Sequence, residues 1–353
     1  MSNVKKEKVI LQVKYPIITS YTSDAHMLAI LSNYSYTEGW IFNNFVNLWG
    51  EEPSYDNHFS MLRFHSWSIR RVCPYFKINY FDKAFFDSDI VEFIISKIDS
   101  GHYVTIKYDQ YYIPNSINYN EYHSEHEMLI YGYDRLKEMF LVADFFKDGK
   151  YSFETTPFNC VESAIVSVLD LEIFSCNELE FYDANYKFNN YFLYNSLNNF
   201  LYSLNTAAEG ENVIIADYEL EPIQQGRYIF GIKTYGLLKQ TLSKVLHNEM
   251  EFNDIRPLHV ISDHKLMMCE RLKYLANAGV IEANDYIIDE YLTIKNISLT
   301  NRNLYLKFLI TKENSLINKI INNLDKMESL ESKAVTYLVN KLSVNTRVGI
   351  SRY

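Results

Sequence analysis

Two residues in this chain are spaced so that they could share one piece of acid–base chemistry. His126 opens the apolar run HEMLIYGYD (126–134), and Asp144 lies near the end of the next run, EMFLVADFF (138–146). Both runs read as strands, joined by the short polar segment Arg135-Leu136-Lys137. In an antiparallel pair with a short turn, the far ends are neighbours. Asp144 is then placed to hold the His126 ring in one tautomer and orientation, as a carboxylate does for a general base.

A base needs something to activate, and the segment SYTSDAHMLAIL (20–31) is where it would stand. Asp24 reads as the N-cap of a helix, with Met27, Leu28, Leu31 and Tyr34 following at helical spacing on one apolar stripe. A cysteine hydrolase or acyltransferase places its thiol at such a helix start, where the positive end of the dipole favours the thiolate. The residue after the cap, at N1, is Ala25, which cannot attack anything. Ser23 is the fallback nucleophile, although it precedes the cap. The start of the helix at Asp24, Ala25 and His26 is where backbone N–H groups would stabilise an oxyanion.

The chain that must position these groups has 353 residues, enough for two packed domains. It holds only 11 Gly and 7 Pro, which argues against a disordered or low-complexity chain. A net charge of −10 with no dense Lys/Arg run argues against nucleic acid as a partner. No uninterrupted apolar stretch is long enough for a transmembrane helix, and MSNVKKEKVILQVKYP lacks the apolar core of a signal peptide. The expectation is a cytoplasmic protein with no membrane association. Cys73, Cys160, Cys176 and Cys269 have no metal-site spacing and read as mostly buried, reduced thiols. His123 with His126 resembles a metal pair but lacks a third ligand, and no Gly-rich phosphate loop is present, so neither metal nor cofactor is expected.

The first half alternates helix and strand patterns. DIVEFIISKIDSGH (89–102) reads as an amphipathic helix ended by Gly101, followed by the strand-like YVTIKYDQYYI (103–113) and the two runs above. This order suggests an α+β domain with an antiparallel sheet on one side of a helix. From about residue 186 the pattern turns mainly helical, with extended interludes near ENVIIADYELEP (211–222) and YIFGI (228–232). The boundary falls between 172 and 186, giving domains of 1–178 and 179–353. In the second half, Asp263 reads as an N-cap-region residue with His264 and Lys265 on a helix surface, and SLESKAVTYLVNKL (329–342) as a separately capped helix. Trp40 and Trp49 fit core packing, Tyr111, Tyr112 and Tyr131 core or pocket wall, and Gly132 relief of crowding in its strand.

The segments PIITSY, ILSNYSYTEGWIFNNFVNLW, YVTIKYDQYYIP, HEMLIYGYD and FLVADFF resemble the N-terminal domain of the butirosin biosynthesis protein H family. IFGIKTYGLL and IRPLHVISDHKLMMCERLKYL resemble the rest of such proteins, so the likeness covers most of the chain. Members are cysteine-protease-like acyltransferases and amide synthetases of natural-product and antibiotic pathways, including the enzyme of closthioamide assembly. The resemblance implies a papain-like or C39-like N-terminal domain followed by a mainly helical one. It also implies ATP-independent transfer of an acyl group from a phosphopantetheinyl carrier-protein thioester, through an active-site Cys, to an amine acceptor. Carried onto this sequence, His126 is the base and Asp144 its orienting partner. A lone histidine at a strand start is more often structural, and this resemblance together with the Asp144 spacing reverses that reading.

The sequence departs from the family where it matters, since no Cys precedes Cys73. Either Ala25 stands in a deliberately inactivated form, or Ser23 is the nucleophile, or the domain has lost catalysis and only binds. A cysteine peptidase is a further alternative with the same His/Asp geometry. An acidic carrier meeting this acidic chain calls for a local basic patch, with Arg70, Arg71, Arg256 and Arg271 as candidates.

Overall fold

A computed structural model of the chain describes residues 6–51, 62–65, 73–86, 89–171, 174–205 and 228–350. The chain forms two compact units that are interleaved in sequence, Met1–Thr37 with Cys73–Asn185 and Glu38–Val72 with Tyr186–Tyr353. This differs from the two contiguous domains expected, 1–178 and 179–353. The chain leaves the first unit after Thr37 and returns to it at Cys73, so part of the segment resembling the family's N-terminal domain belongs to the second unit.

The first unit is mixed α+β, built on a seven-stranded antiparallel sheet. Its strands are β1 (Lys8–Ile10), β4 (Phe76–Phe81), β5 (Tyr103–Asp109), β6 (Glu125–Asp134), β7 (Met139–Phe145), β8 (Tyr151–Pro157) and β9 (Cys176–Phe181). They lie in the order β4-β9-β5-β6-β7-β8, with β1 also on β6. The long β6 has two successive neighbours on one side: β5 pairs with it as far as Val104 opposite Ile130, and β1 takes over at Ile10 opposite Gly132. At that handover β6 carries one more residue than β7, a bulge at Tyr131 between the pairs Ile130–Val142 and Gly132–Leu141.

Three helices accompany this sheet: α1 (Thr22–Leu31), α3 (Ile90–Asp99) and α4 (Phe158–Val166). Asp89 caps α3 by accepting from the Glu92 N–H, and Gly101 ends it with a φ of +85° that suits a residue without Cβ. Ile90, Ile94, Ile95 and Ile98 of α3 and Val161, Ala164 and Ile165 of α4 join Val104, Ile106, Met128, Ile130 and Val142 of the sheet in one buried cluster. Spacing of 3 and 4 in the helices meets spacing of 2 in the strands, so the apolar faces coincide.

The second unit is mainly helical: α2 (Glu38–Asn43), α5 (Asn190–Tyr202), α6 (Thr234–Leu246), α7 (Arg256–Asn277), α8 (Tyr286–Thr311) and α9 (Asn314–Ile350). A small antiparallel sheet joins β2 (Leu48–Glu51), β3 (Arg63–Phe64) and β10 (Tyr228–Phe230). Trp40 and Trp49 are buried. No helix among the described residues is long and apolar enough to cross a membrane. The interlude at 211–222 lies outside the described residues.

Two sequence expectations fail here. SLESKAVTYLVNKL is the interior of α9, because the residues before it are helical and leave no end to cap. Asp263 is a buried mid-helix residue of α7, and His264 and Lys265 are buried in the core. The Lys265 ammonium donates to both oxygens of Glu331 at 2.7 and 2.6 Å and to His264 Nδ1 at 2.9 Å. His264 Nε2 donates to the Val46 carbonyl, and Tyr235 donates to Glu331 at 2.8 Å. Every donor of the ammonium is thereby used, which is the condition for burying an ion pair without leaving orphaned charge. A short charged stretch looks exposed in sequence; only α9, 66 residues later, supplies the counter-charge.

Two outcomes follow. Gly132→Ala would put a Cβ at 2.7 Å from the Val9 carbonyl oxygen. It should cost about 1–3 kcal/mol in urea unfolding by displacing β1, and a neutral result would show that β1 does not need this close approach. Lys265→Met alone should cost about 3–5 kcal/mol by stranding Glu331, and adding Glu331→Leu should recover most of it. An additive double variant would refute the coupling.

Candidate acid–base site

The His126–Asp144 pair forms through register. The Leu129–Ala143 pairing beyond the bulge, continued one step, sets Asp144 opposite Met128. His126 then lies two residues on, on the same face and within diagonal reach. Its Nδ1 meets Asp144 Oδ2 at 2.7 Å. Tyr108, directly opposite His126 on β5, donates to the same oxygen at 2.6 Å, and the Phe145 N–H donates to Oδ1 at 2.6 Å.

The carboxylate of Asp144 is fully buried, whereas the His126 side chain is 33% exposed. With Nδ1–H given to Asp144, Nε2 is the basic atom of the ring. Burial pulls the His126 pKa down, but the charge and hydrogen bond of Asp144 outweigh it, and the net shift is upward from 6.5. Burial, followed by the neighbouring Asp144 charge, pushes the Tyr108 phenol well above its ordinary value, so it remains a neutral donor. Tyr108 was missed in the sequence. Its signal was the alternation of Val104, Ile106 and Tyr108 along one strand face, with the one polar tip at the end.

The helix before the sheet starts earlier than expected. Tyr21 occupies the N-cap position with no side-chain cap, and Asp24 is the third helical residue rather than the cap. Ala25 is therefore not N1 but the fourth residue, and its N–H already bonds the Tyr21 carbonyl at 3.0 Å. The first turn of α1 is therefore Thr22, Ser23 and Asp24, and the N–H groups of Ala25 and His26 fall where intrahelical bonding has begun. Ser23 lies within the helix, half-buried. From Asp24 to Leu31 every residue is buried, so this helix has no solvent-facing side beyond its first turn.

His26 fixes the helix to the sheet. Its Nε2 meets the Glu127 carbonyl at 3.2 Å, which requires Nε2–H, and its Nδ1 then accepts from the Tyr151 hydroxyl at 2.9 Å. Both ring nitrogens are committed, so the His26 side chain is a bolt and not an oxyanion donor. A run of aromatic contacts links it to His126: His26–Tyr151 at 5.6 Å, Tyr151–Phe145 at 5.5 Å and Phe145–His126 at 6.4 Å between ring centroids.

The other candidates separate. His123 turns away from His126 to Asp109, at 2.6 Å. Asp109 also accepts from Ser167 and from the N–H groups of Tyr111 and Ser124, which makes it a clamp on the loop before β6. Tyr111 stacks on His123 at 4.4 Å, and Tyr131 is buried. Cys73, Cys176 and Cys269 are buried and Cys160 half-buried; all four thiols are free, and burial raises each of their pKa values, the opposite of what a thiolate nucleophile needs. Arg271 is buried and Arg256 is held by Asp254, so neither offers a free surface charge. Arg70 and Arg71 lie outside the described residues.

No protein-family model matches the chain, and no curated protein matches it.

Because the folded His126 pKa lies above the unfolded 6.5, its pairing stabilises the fold fully below about pH 6.5 and the contribution fades as pH rises through the folded value. Asp144→Asn removes the raising influence and leaves burial in charge. The His126 midpoint, followed by NMR of its ring protons, should drop below 6.5; an unmoved midpoint would show that Asp144 does not control the imidazole.

Proposed function

We propose that the first unit is a papain-like, C39-like acyl-handling domain and that the chain is of the ATP-independent, amide-forming acyltransferase type, with position 25 the place of the nucleophile. The observation that carries this reading is the buried Asp144 holding His126 by Nδ1, with Nε2 left basic at the end of the sheet where His26 anchors the start of α1. A dyad alone serves several chemistries, and the resemblance of the surrounding segments selects among them.

With a Cys at position 25, His126 Nε2 takes the thiol proton and the thiolate attacks the thioester carbonyl of a carrier-bound acyl group. The C–S bond to the pantetheine breaks, and His126 returns the proton to that leaving sulfur. An amine then attacks the acyl-cysteine, the C–N bond forms as the C–S bond breaks, and the amine proton passes through His126 to the departing thiolate. The N–H groups of Thr22 and Ser23, in the first turn of α1, are the donors this reading offers to the tetrahedral oxyanion. The reaction is cytoplasmic in this reading and its partners are the carrier protein and the amine.

Ala25 supplies no nucleophile, and this favours a second reading in which the chain binds an acyl carrier or a peptide without turnover. A cysteine peptidase ranks third, and offering an amine with a thioester, against offering a peptide, separates it from the first.

Intact-protein mass spectrometry of the chain and its Ala25→Cys variant, each with an acyl-thioester surrogate, tests the proposal. The variant alone should gain the acyl mass, and adding His126→Ala should slow its acylation by about 10²-fold. An adduct on the unaltered chain would move the nucleophile to Ser23. No adduct on either, across two different thioesters, would overturn the acyltransferase reading in favour of binding.

A further inference from the structure

Helix α8 carries two apolar lines. One runs from Ile287 through Tyr291, Ile294 and Ser298 to Tyr305 and Phe308, and is buried, α8 packing against α7 and α9. The other has no cover among the described residues. Leu292, Leu299 and Leu306 repeat at intervals of seven and are 44%, 39% and 44% exposed, and Ile310 is 85% exposed. At 100° per residue these four, with Ile288, fall in a strip about 40° wide and about 33 Å long. Singly exposed leucines need no explanation, but a straight line of them along a whole helix does.

Charge says what suits the strip. Beyond Glu290 the helix contains no acidic residue, while Lys295 and Arg302 flank the leucines on one side and Lys307 on the other. None of the three forms an ion pair among the described residues. Arg302 Nε is shielded from solvent and meets no acceptor there, so this guanidinium is already partly stripped of water. In a chain of net charge −10 this is a local basic exception. Two copies of α8 packed antiparallel about Leu299 would set the Lys295–Arg302 flank against itself, like charge on like charge, which disfavours a second copy as occupant.

We propose that the exposed strip of α8 docks an acidic amphipathic helix of a partner protein, its apolar line against Leu292, Leu299 and Leu306 and its carboxylates against Lys295 and Arg302. The proposal does not rest on the acyl-transfer reading. Lines of this spacing are how helices seat in grooves, and flanking charges choose the partner.

The test uses the full chain and a fluorescent three-heptad peptide with Leu at its core positions and Glu at the flanking ones, followed by anisotropy. Saturable binding is expected, weakened about tenfold or more by Lys295→Glu with Arg302→Glu, abolished by Leu299→Glu, and reduced by added salt. The substituted residues are surface-exposed or half-exposed, and circular dichroism checks that each variant is folded. Equal binding by a scrambled peptide of the same composition, no saturable binding, or variants that bind like the parent would each overturn the proposal. So would a dimer of the unaltered chain in sedimentation that Leu299→Glu converts to monomer, since the strip would then belong to a second copy.

Discussion

The contact between His126 and Asp144 depends on one extra residue in a strand. Near the hairpin, β6 and β7 pair with Gly132 opposite Leu141; past Tyr131 they pair with Ile130 opposite Val142. Without that bulge Asp144 would lie opposite Leu129, and His126, three residues further, would point to the other face of the sheet. Side chains alternate strictly, so a single-residue slip decides whether His126 and Asp144 meet. The bulge sits where β6 exchanges one neighbour for another, and Gly132 beside it lets β1 approach closely enough to complete the edge. Register, strand handover and dyad are thus one arrangement.

Burying a carboxylate is costly, and the two units meet that cost in different ways. Asp144 takes its compensation from a phenol, a backbone N–H and an imidazole, and the imidazole alone keeps an exposed side. Glu331 takes its compensation from an ammonium and two phenols, Tyr235 and Tyr291, all within the core. The first network is satisfied on the inside and open on the outside, so it can pass a proton to something arriving. The second is closed, with no atom left to engage a ligand. Complete satisfaction makes a polar network structural; one basic atom left over makes it reactive.

The hairpin of β6 and β7, the capped α3 and the helical character of the second unit were legible because each is encoded locally, in alternation, in Asp89 and Gly101, and in apolar spacing of three and four. The closeness of His126 and Asp144 was legible from hairpin length, but the bulge that gives it the right face was not, since Tyr131 carries no local mark of an unpaired position. The start of α1 was misread because Asp24 has a capping side chain; Thr22 and Ser23 have them too, and all three lie inside the helix. His264, Lys265 and Arg271 read as surface because their partners, Glu331 and the carbonyls of residues 42 to 46, are remote in sequence. The path of residues 38–72 into the second unit was hidden for the same reason.

That path has a consequence for how the chain is made. Arg271 donates to the Phe42 carbonyl, 229 residues earlier, and to those of Asn44 and Phe45. During synthesis the first unit has all its strands once residue 181 has emerged, but the 38–72 segment must wait for α7 before its carbonyls find their guanidinium. Until then Trp40, Phe45 and Leu48, buried in the finished protein, lack the later helices of their unit to pack on, the sort of apolar surface that chaperones hold and that aggregates when they do not. A ribosome pausing between residues 185 and 271 would prolong the exposure, and so would any truncation that removes α7 while leaving the sheet intact.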